Sequence, residues 1–158
     1  MDNESKLDLR NFKVDQFGYV YRDIEKQAQI LETYLSVPKF NFMPPFVGCV
    51  NYRGKETEIT IRIGFSRNFN MQIELIQPIE GQCIYTEFLD QGKEGLHHIN
   101  CSVENVEAQI DQIKNLGYEV VQSGVIVGNR RFAYFDTEKI LGIILEIQGT
   151  VKKRKEKG

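Results

Sequence analysis

Apolar and polar positions change their spacing several times along this chain, and each change marks an element. Val14 to Tyr21, VDQFGYVY, is rich in β-branched and aromatic residues and predicts a strand. From Asp23 the spacing switches. Ile24, Ala28, Leu31 and Leu35 recur near the helical period through DIEKQAQILETYLSV. Asp23 offers a side-chain oxygen to the free N–H groups of the first turn, and Pro38 opposes continuation past Val37. The stretch FNFMPPFVGCVNYRG is punctuated by Pro44 and Pro45, and Arg53-Gly54-Lys55 reads as a turn. EITIRIGF (58–65) and MQIELIQ (71–77) read as strands. Residues 82–91 predict a short connecting helix with Ile84, Phe88 and Leu89 buried.

The pattern then restarts. GLHHINCSV (95–103) reads as a strand. ENVEAQIDQIKNL (104–116) reads as a helix with Val106, Ile110 and Ile113 on one face and Gly117 just past its end. Strands follow at 119–122, 131–136 and 142–148, so the order β-α-β-β-β occurs twice. A shift of 82 residues lays Ile24 on Val106, Gln27 on Gln109, Leu31 on Ile113 and Gln16 on His98. IELI (73–76) meets LEIQ (145–148) with Glu74 on Glu146, a shift of 72, which predicts shorter loops in the second half. The expected fold is α+β. Two tandem βαβββ modules, about 12–78 and 95–149, build an open, curved, barrel-like mixed sheet with helices outside. They form one domain over residues 1–150, followed by a basic solvated tail at 151–158.

The duplication proposes a site. Gln16 pairs with His98 and Glu74 with Glu146, each on a first or last strand of its module. Two curved modules packed together would line one cavity with these strands. Strand alternation puts Glu74 on the face of Gln72 and Ile76, Glu146 on that of Ile144 and Gln148, and His98 on that of Asn100 and Ser102, with His97 pointing away. Imidazole nitrogen with carboxylate oxygens suits a divalent transition metal. Taken singly, Gln16, Glu74 and Glu146 each read as solvent-facing residues, and His98 as a hydrogen-bonded interior histidine. Their recurrence in register is what argues for a shared site. Phe132 and Tyr134 share a face and are candidate cavity walls, core packing being the alternative. Arg62 and Arg131 are candidates for holding an anionic group, surface arginine being the alternative.

Charge and composition remove other classes. The 158 residues carry 20 Lys and Arg against 22 Asp and Glu, a net charge of −2, without the basic excess of a nucleic-acid partner. No apolar run approaches the roughly 20 residues of a membrane span, and MDNESKLDLR lacks the apolar stretch of a secretory signal. Cys49, Cys83 and Cys101 are odd in number and widely spaced. They predict free thiols in a reducing, cytoplasmic setting.

The segments FGYVYRDIE, QIELIQP, GLHHINCSVENVEAQIDQIKNLGYEV, RFAYFDT and GIILEIQG resemble the vicinal oxygen chelate superfamily, which holds glyoxalases, bleomycin resistance proteins and dioxygenases. The likeness runs from about Val14 to Gly149 and is greatest to the glyoxalase I and methylmalonyl-CoA epimerase branch. The resemblance implies one divalent ion (Zn, Ni, Co or Mn) held by Gln16, Glu74, His98 and Glu146. It implies an isomerase or lyase that moves a proton α to a carbonyl through a metal-stabilised enolate, with Glu146 as the preferred base and Glu74 the second choice. Gln72, Asn100, Arg62, Arg131, Phe132 and Tyr134 would touch a small carbonyl or acyl-thioester substrate, and a homodimer is a reasonable expectation. Glutamine at position 16 departs from the histidine of epimerases and matches some glyoxalase I enzymes. Epimerases also carry a catalytic glutamate on the strand that reads EITIRIGF here, where the aligned position falls near Ile61 or Arg62. Residues that match glutathione binding are not found. The alternative is a binding protein of the same fold without turnover, or, with Gln16 in place of a histidine, less plausibly an extradiol dioxygenase.

Overall fold

The structure, a computed structural model, describes Arg10 and residues 12–151. The basic run beyond Val151 and the polar stretch before Arg10 lie outside the described residues. In the first half, β1 (Lys13–Val20) leads into α1 (Ile24–Leu35). The Asp23 carboxylate accepts from the Lys26 N–H, as its position predicts. The helix stops earlier than Pro38 alone would require, because Ser36 turns into the left-handed region at φ 53°. β2 (Asn41–Phe42), β3 (Phe46–Tyr52), β4 (Lys55–Asn68), β5 (Met71–Glu80) and α2 (Ile84–Asp90) follow. The second half runs β6 (Gly95–Ser102), α3 (Val106–Asn115), β7 (Val120–Ile126), β8 (Arg130–Phe135), α4 (Glu138–Leu141) and β9 (Ile144–Thr150).

Three features differ from the pattern of the sequence. β4 runs over 14 residues, well beyond the alternating core of EITIRIGF, because hairpins to β3 and β5 extend the pairing at both ends. α4 is a four-residue turn, too short to show a helical period. The second half is shortened between α3 and β7, whereas the β8–β9 connection carries α4 where β4 and β5 are joined by the tight turn at Phe69 and Asn70.

The nine strands form one mixed sheet in the order β2-β4-β3-β7-β8-β9-β6-β1-β5, and β5 pairs back onto β4 to close a curved barrel. Each module contributes four neighbouring strands, β3-β4-β5-β1 and β6-β9-β8-β7. The modules meet along two seams. At the first, β1 and β6 run antiparallel with Gln16 opposite Asn100 and Gly18 opposite His98, a register symmetric about Phe17 and Ile99. A shift of 82 residues predicts this symmetry, so the duplication is written into the pairing itself. At the second seam, β3 touches β7 only through Asn51–Ser123 and Tyr52–Gln122.

Strand alternation divides the sheet into an outer face under the helices and an inner face around the barrel axis. On the outer face, Ile24 and Ala28 of α1 pack with Leu75, and Val106, Ile110 and Ile113 of α3 pack with Leu145 and Ile147. Inside, Val20, Ile59, Ile76 and Val121 pack against Ile84, Tyr85 and Leu89 of α2. Among the described residues no helix is long and apolar enough to cross a membrane. All three cysteines are free, with Cys83 and Cys101 buried.

Leu75 is fully buried between α1 and the sheet. Leu75→Ala is expected to cost about 2–5 kcal/mol in urea unfolding, from lost burial plus the cavity left behind. Phe69→Ala, at a turn where the ring is 93% exposed, is expected to stay within about 0.5 kcal/mol of the parent protein.

Candidate metal centre

The barrel holds a half-open cavity of about 460 Å³. One wall is apolar and comes from β3 and β4, through Val50, Ile59, Ile61, Ile63 and Phe65. The opposite side is polar: Gln16, Gln72, Glu74, Glu146 and Gln148 line it from β1, β5 and β9. Phe46 and Ile126 line the cavity beyond the two residue pairs that join β3 to β7, so the weakly paired seam borders it.

His98 lies under the polar side. Its ring is wholly buried, and Nε2 stands 3.4 Å from a Glu74 oxygen and 3.3 Å from a Glu146 oxygen. The two glutamates are 9% and 5% exposed, so the three groups share an interior site rather than a solvated surface. The register explains the meeting. Gly18 lies beside Glu74 on one strand pair and opposite His98 on the other, and Asn100 lies beside Glu146. The glycine is required here, because a Cβ at residue 18 would overlap the His98 ring. Gln16 joins from β1, where its amide donates to Gln72 Oε1 at 2.7 Å.

Burial disfavours a charged His98, but the carboxylates of Glu146 and Glu74 beside it outweigh that cost and raise the pKa to about 9. Burial pushes the Glu74 carboxyl up, against the pull of His98. His97 is held well below the ordinary histidine range, first by burial and then by the neighbouring His98 charge. The two rings meet at 2.9 Å through their Nδ1 atoms. One proton serves that contact. When His98 Nδ1 donates it to His97, His98 Nε2 is the nitrogen left facing the two carboxylates, with a proton in the charged form and a lone pair once that proton is lost.

The residues proposed from sequence separate clearly. The structure brings Gln16, Glu74 and Glu146 into the lining of one cavity, with Gln72, Phe132 and Tyr134 also in its walls and His98 buried behind the two glutamates. Asn100 is buried beside Gln16 and Glu146 but is not a wall residue, and its Nδ2 has no hydrogen-bond partner. Arg62 and Arg131 require correction as contacts to a bound anion. Arg62 alternates with the cavity residues Ile61 and Ile63 and so points outward, where it pairs with Glu25 of α1. Arg131 precedes cavity-lining Phe132 and pairs with Glu107 of α3 at 2.6 Å. Glu25 and Glu107 are related by the same 82-residue shift, so these are duplicated ties between helix and sheet. His97 does not line the cavity, in keeping with strand alternation, but it has contacts that alternation did not predict. It packs on Tyr85, Phe88 and Tyr134 and holds the His98 ring.

Sequence reasoning missed Tyr85, Gln122 and Gln148 as cavity residues. Tyr85 comes from α2 and shares a 2.7 Å hydrogen bond with Tyr134, and Gln122 accepts from the Ile84 N–H. For Gln148 the signal was present, two residues beyond Glu146 on the same strand face. Both tyrosines are raised well above the ordinary range, first by burial and then by the Glu146 charge, and stay protonated donors.

Among the described residues no group of three or more His, Cys, Asp or Glu side chains stands in a ready-made metal cage. The donor chemistry nevertheless fits a divalent cation. A buried imidazole Nε2 without a hydrogen-bond partner faces two carboxylates whose charges would balance the ion, with an amide side chain next to them. A cation would compete with the proton for that nitrogen.

The sequence profile described as the Glyoxalase/Bleomycin resistance protein/Dioxygenase superfamily matches residues 15–135. No curated protein sequence matches the chain. Among solved structures, a hypothetical protein from Bacillus halodurans C-125 superposes with a TM-score of 0.63 at 18% identity, covering 92% of this chain and 99% of that one. A variant of Streptomyces coelicolor methylmalonyl-CoA epimerase in complex with 2-nitronate-propionyl-CoA gives 0.61 at 14% identity, covering 89% and 97%. Methylmalonyl-CoA epimerase from Mycobacterium tuberculosis gives 0.61 at 16%, covering 88% of each chain. At these identities the likeness concerns the fold.

Two outcomes check the geometry. Gly18→Ala is expected to destabilise the protein by about 1–3 kcal/mol in thermal unfolding, because the His98 ring must move. Arg62→Ala and Arg131→Ala are each expected to cost no more than about 1 kcal/mol, since both pairs are partly exposed, and to leave ligand binding in the cavity unchanged.

Proposed function

Because this chain belongs to the Glyoxalase/Bleomycin resistance protein/Dioxygenase superfamily, we propose that it is a divalent-metal-dependent isomerase or lyase that moves a proton at a carbon next to a carbonyl. The observation that carries this reading is the buried, unpartnered His98 Nε2 between Glu74 and Glu146 on the polar side of a cavity. Gln16, Glu74, His98 and Glu146 would hold the ion, and their nitrogen and oxygen donors suit zinc, nickel, cobalt or manganese. When bound, the ion supplies Lewis-acid polarisation of the substrate carbonyl.

The chain's own groups do the rest. Glu146, on the cavity wall, takes the proton from the carbon and returns it, with Glu74 as the alternative base. Burial raises the proton affinity of Glu74, which suits a group that must both accept and release. Tyr85 and Tyr134 carry two hydroxyl protons and share one hydrogen bond, so one O–H is left to donate to a substrate oxygen. The substrate is a small carbonyl compound or an acyl thioester, the latter in keeping with the acyl-CoA complexes of structurally similar epimerases. Free cysteines, two of them buried, suit the cytoplasm as the place of action. A binding protein without turnover is the second reading, and the long apolar wall favours it.

Protein purified without chelator is expected to carry stoichiometric divalent metal by plasma mass spectrometry. His98→Ala and Glu146→Gln are each expected to lose most of it while keeping the parent circular dichroism spectrum. The metal-loaded protein is expected to incorporate solvent deuterium into a thiohemiacetal or a 2-methyl-branched acyl thioester. Parent metal content in both variants would remove the site. A metal-free parent with a tight small-molecule ligand would establish the second reading instead.

A further inference from the structure

The apolar wall of the cavity limits what else the ligand can carry. Val50, Ile59, Ile61, Ile63 and Phe65 present only hydrocarbon, and Phe132 faces them from β8. Among the described residues that line the cavity there is no Lys, Arg or His, and its carboxylates are Glu74 and Glu146. An anionic substituent carried against this wall would lose its water and meet no cationic side chain.

The arginines nearest this face do not change that. Arg67 lies two residues past Phe65, and Arg130 two residues before Phe132, so alternation gives both the cavity side of their strands. Along β4, β3, β7 and β8 every pairing is antiparallel, so β8 runs opposite to β4 and the two arginines come to the same end of the barrel. There Arg67 donates to the Asn70 carbonyl at 3.3 Å, and Arg130 donates to Gln148 Oε1 at 2.9 Å. Neither is a lining residue, and Gln148 stands between the Arg130 guanidinium and the cavity.

From this distribution we infer that the part of the ligand held inside the barrel is uncharged hydrocarbon, an aryl or branched alkyl group bearing its carbonyl at the polar end. The inference rests on the proposed function for the position of the carbonyl, and on the wall alone for the rest. A volume of about 460 Å³ falls within the range of roughly 300–1,000 Å³ usual for small-molecule pockets. The hydrocarbon would lie against β3 and β4, while the oxygen would face Glu146, Glu74 and the spare hydroxyl of Tyr85 and Tyr134.

A matched pair of probes tests it. 1-(4-Methylphenyl)propane-1,2-dione and 1-(4-carboxyphenyl)propane-1,2-dione have the same reacting end and differ in charge only at the far end of the ring. Calorimetric titration of the full chain is expected to give binding at least about tenfold weaker for the carboxylate, the effect of an unpaired buried charge. Ile126→Lys places a cation in the wall, and is expected to narrow or reverse the preference while circular dichroism reports an intact fold. Equal or tighter binding of the carboxylate by the parent protein would overturn the inference, and so would failure of both probes to bind. Metal content measured on the same samples reports separately on the proposed function. A metal-loaded protein that prefers the carboxylate keeps that function and loses this ligand class, whereas a metal-free protein that prefers the methyl compound does the reverse.

Discussion

Glu74 and Glu146 each bring a carboxylate oxygen to within 3.4 Å of His98 Nε2 at the polar side of the cavity, and all three groups are almost wholly removed from water. Burying even one such charge without a partner costs several kcal/mol, so each member depends on the others being in place. The surrounding structure follows from that dependence. Gly18 is bare because the imidazole occupies the space over it. His97, next in the chain, is turned back so that its Nδ1 meets that of His98 and fixes which nitrogen faces the carboxylates. β5 and β9 each run parallel to the first strand of their own module, which brings both glutamates to the seam where β1 and β6 cross.

The duplicated sheet separates two jobs by face. Outward residues secure the helices, through Leu75 under α1, Leu145 and Ile147 under α3, and the repeated ion pairs Arg62–Glu25 and Arg131–Glu107. Inward residues make the cavity. On that inner side the modules have diverged, with Gln16 where the other module has His98, and Gly18 where it has Asn100. A symmetric pair of strands thereby yields an asymmetric set of donors, one amide and one imidazole with two matching carboxylates.

Much of this was legible in the sequence because it depends on local periods. The Asp23 cap, the buried faces of α1 and α3, the restart near Gly95 and the inward side of Glu74 and Glu146 all follow from spacing. What failed depends on contacts between segments distant in the chain. The parity of Arg62 and Arg131 was readable, since each neighbours residues of the opposite face, but a helix glutamate as the partner was not. The contribution of Tyr85 needed the packing of α2 into the end of the barrel. His97 was correctly turned from the cavity by alternation, yet its contact with His98 lies outside any periodic rule. The family resemblance named the same four donors that the duplication had already assigned to one cavity.

The account stands on a common centre shared by His98 and both glutamates. The chain has only two histidines, so nitrogen-15 NMR of the imidazoles resolves the question without ambiguity. On addition of one equivalent of zinc, the His98 Nε2 resonance should move to the position of a coordinated nitrogen while Nδ1 keeps its proton, and the carboxylate carbons of Glu74 and Glu146 should shift together. Zinc that leaves the His98 Nε2 resonance unmoved, or that shifts it without either glutamate, would contradict the account.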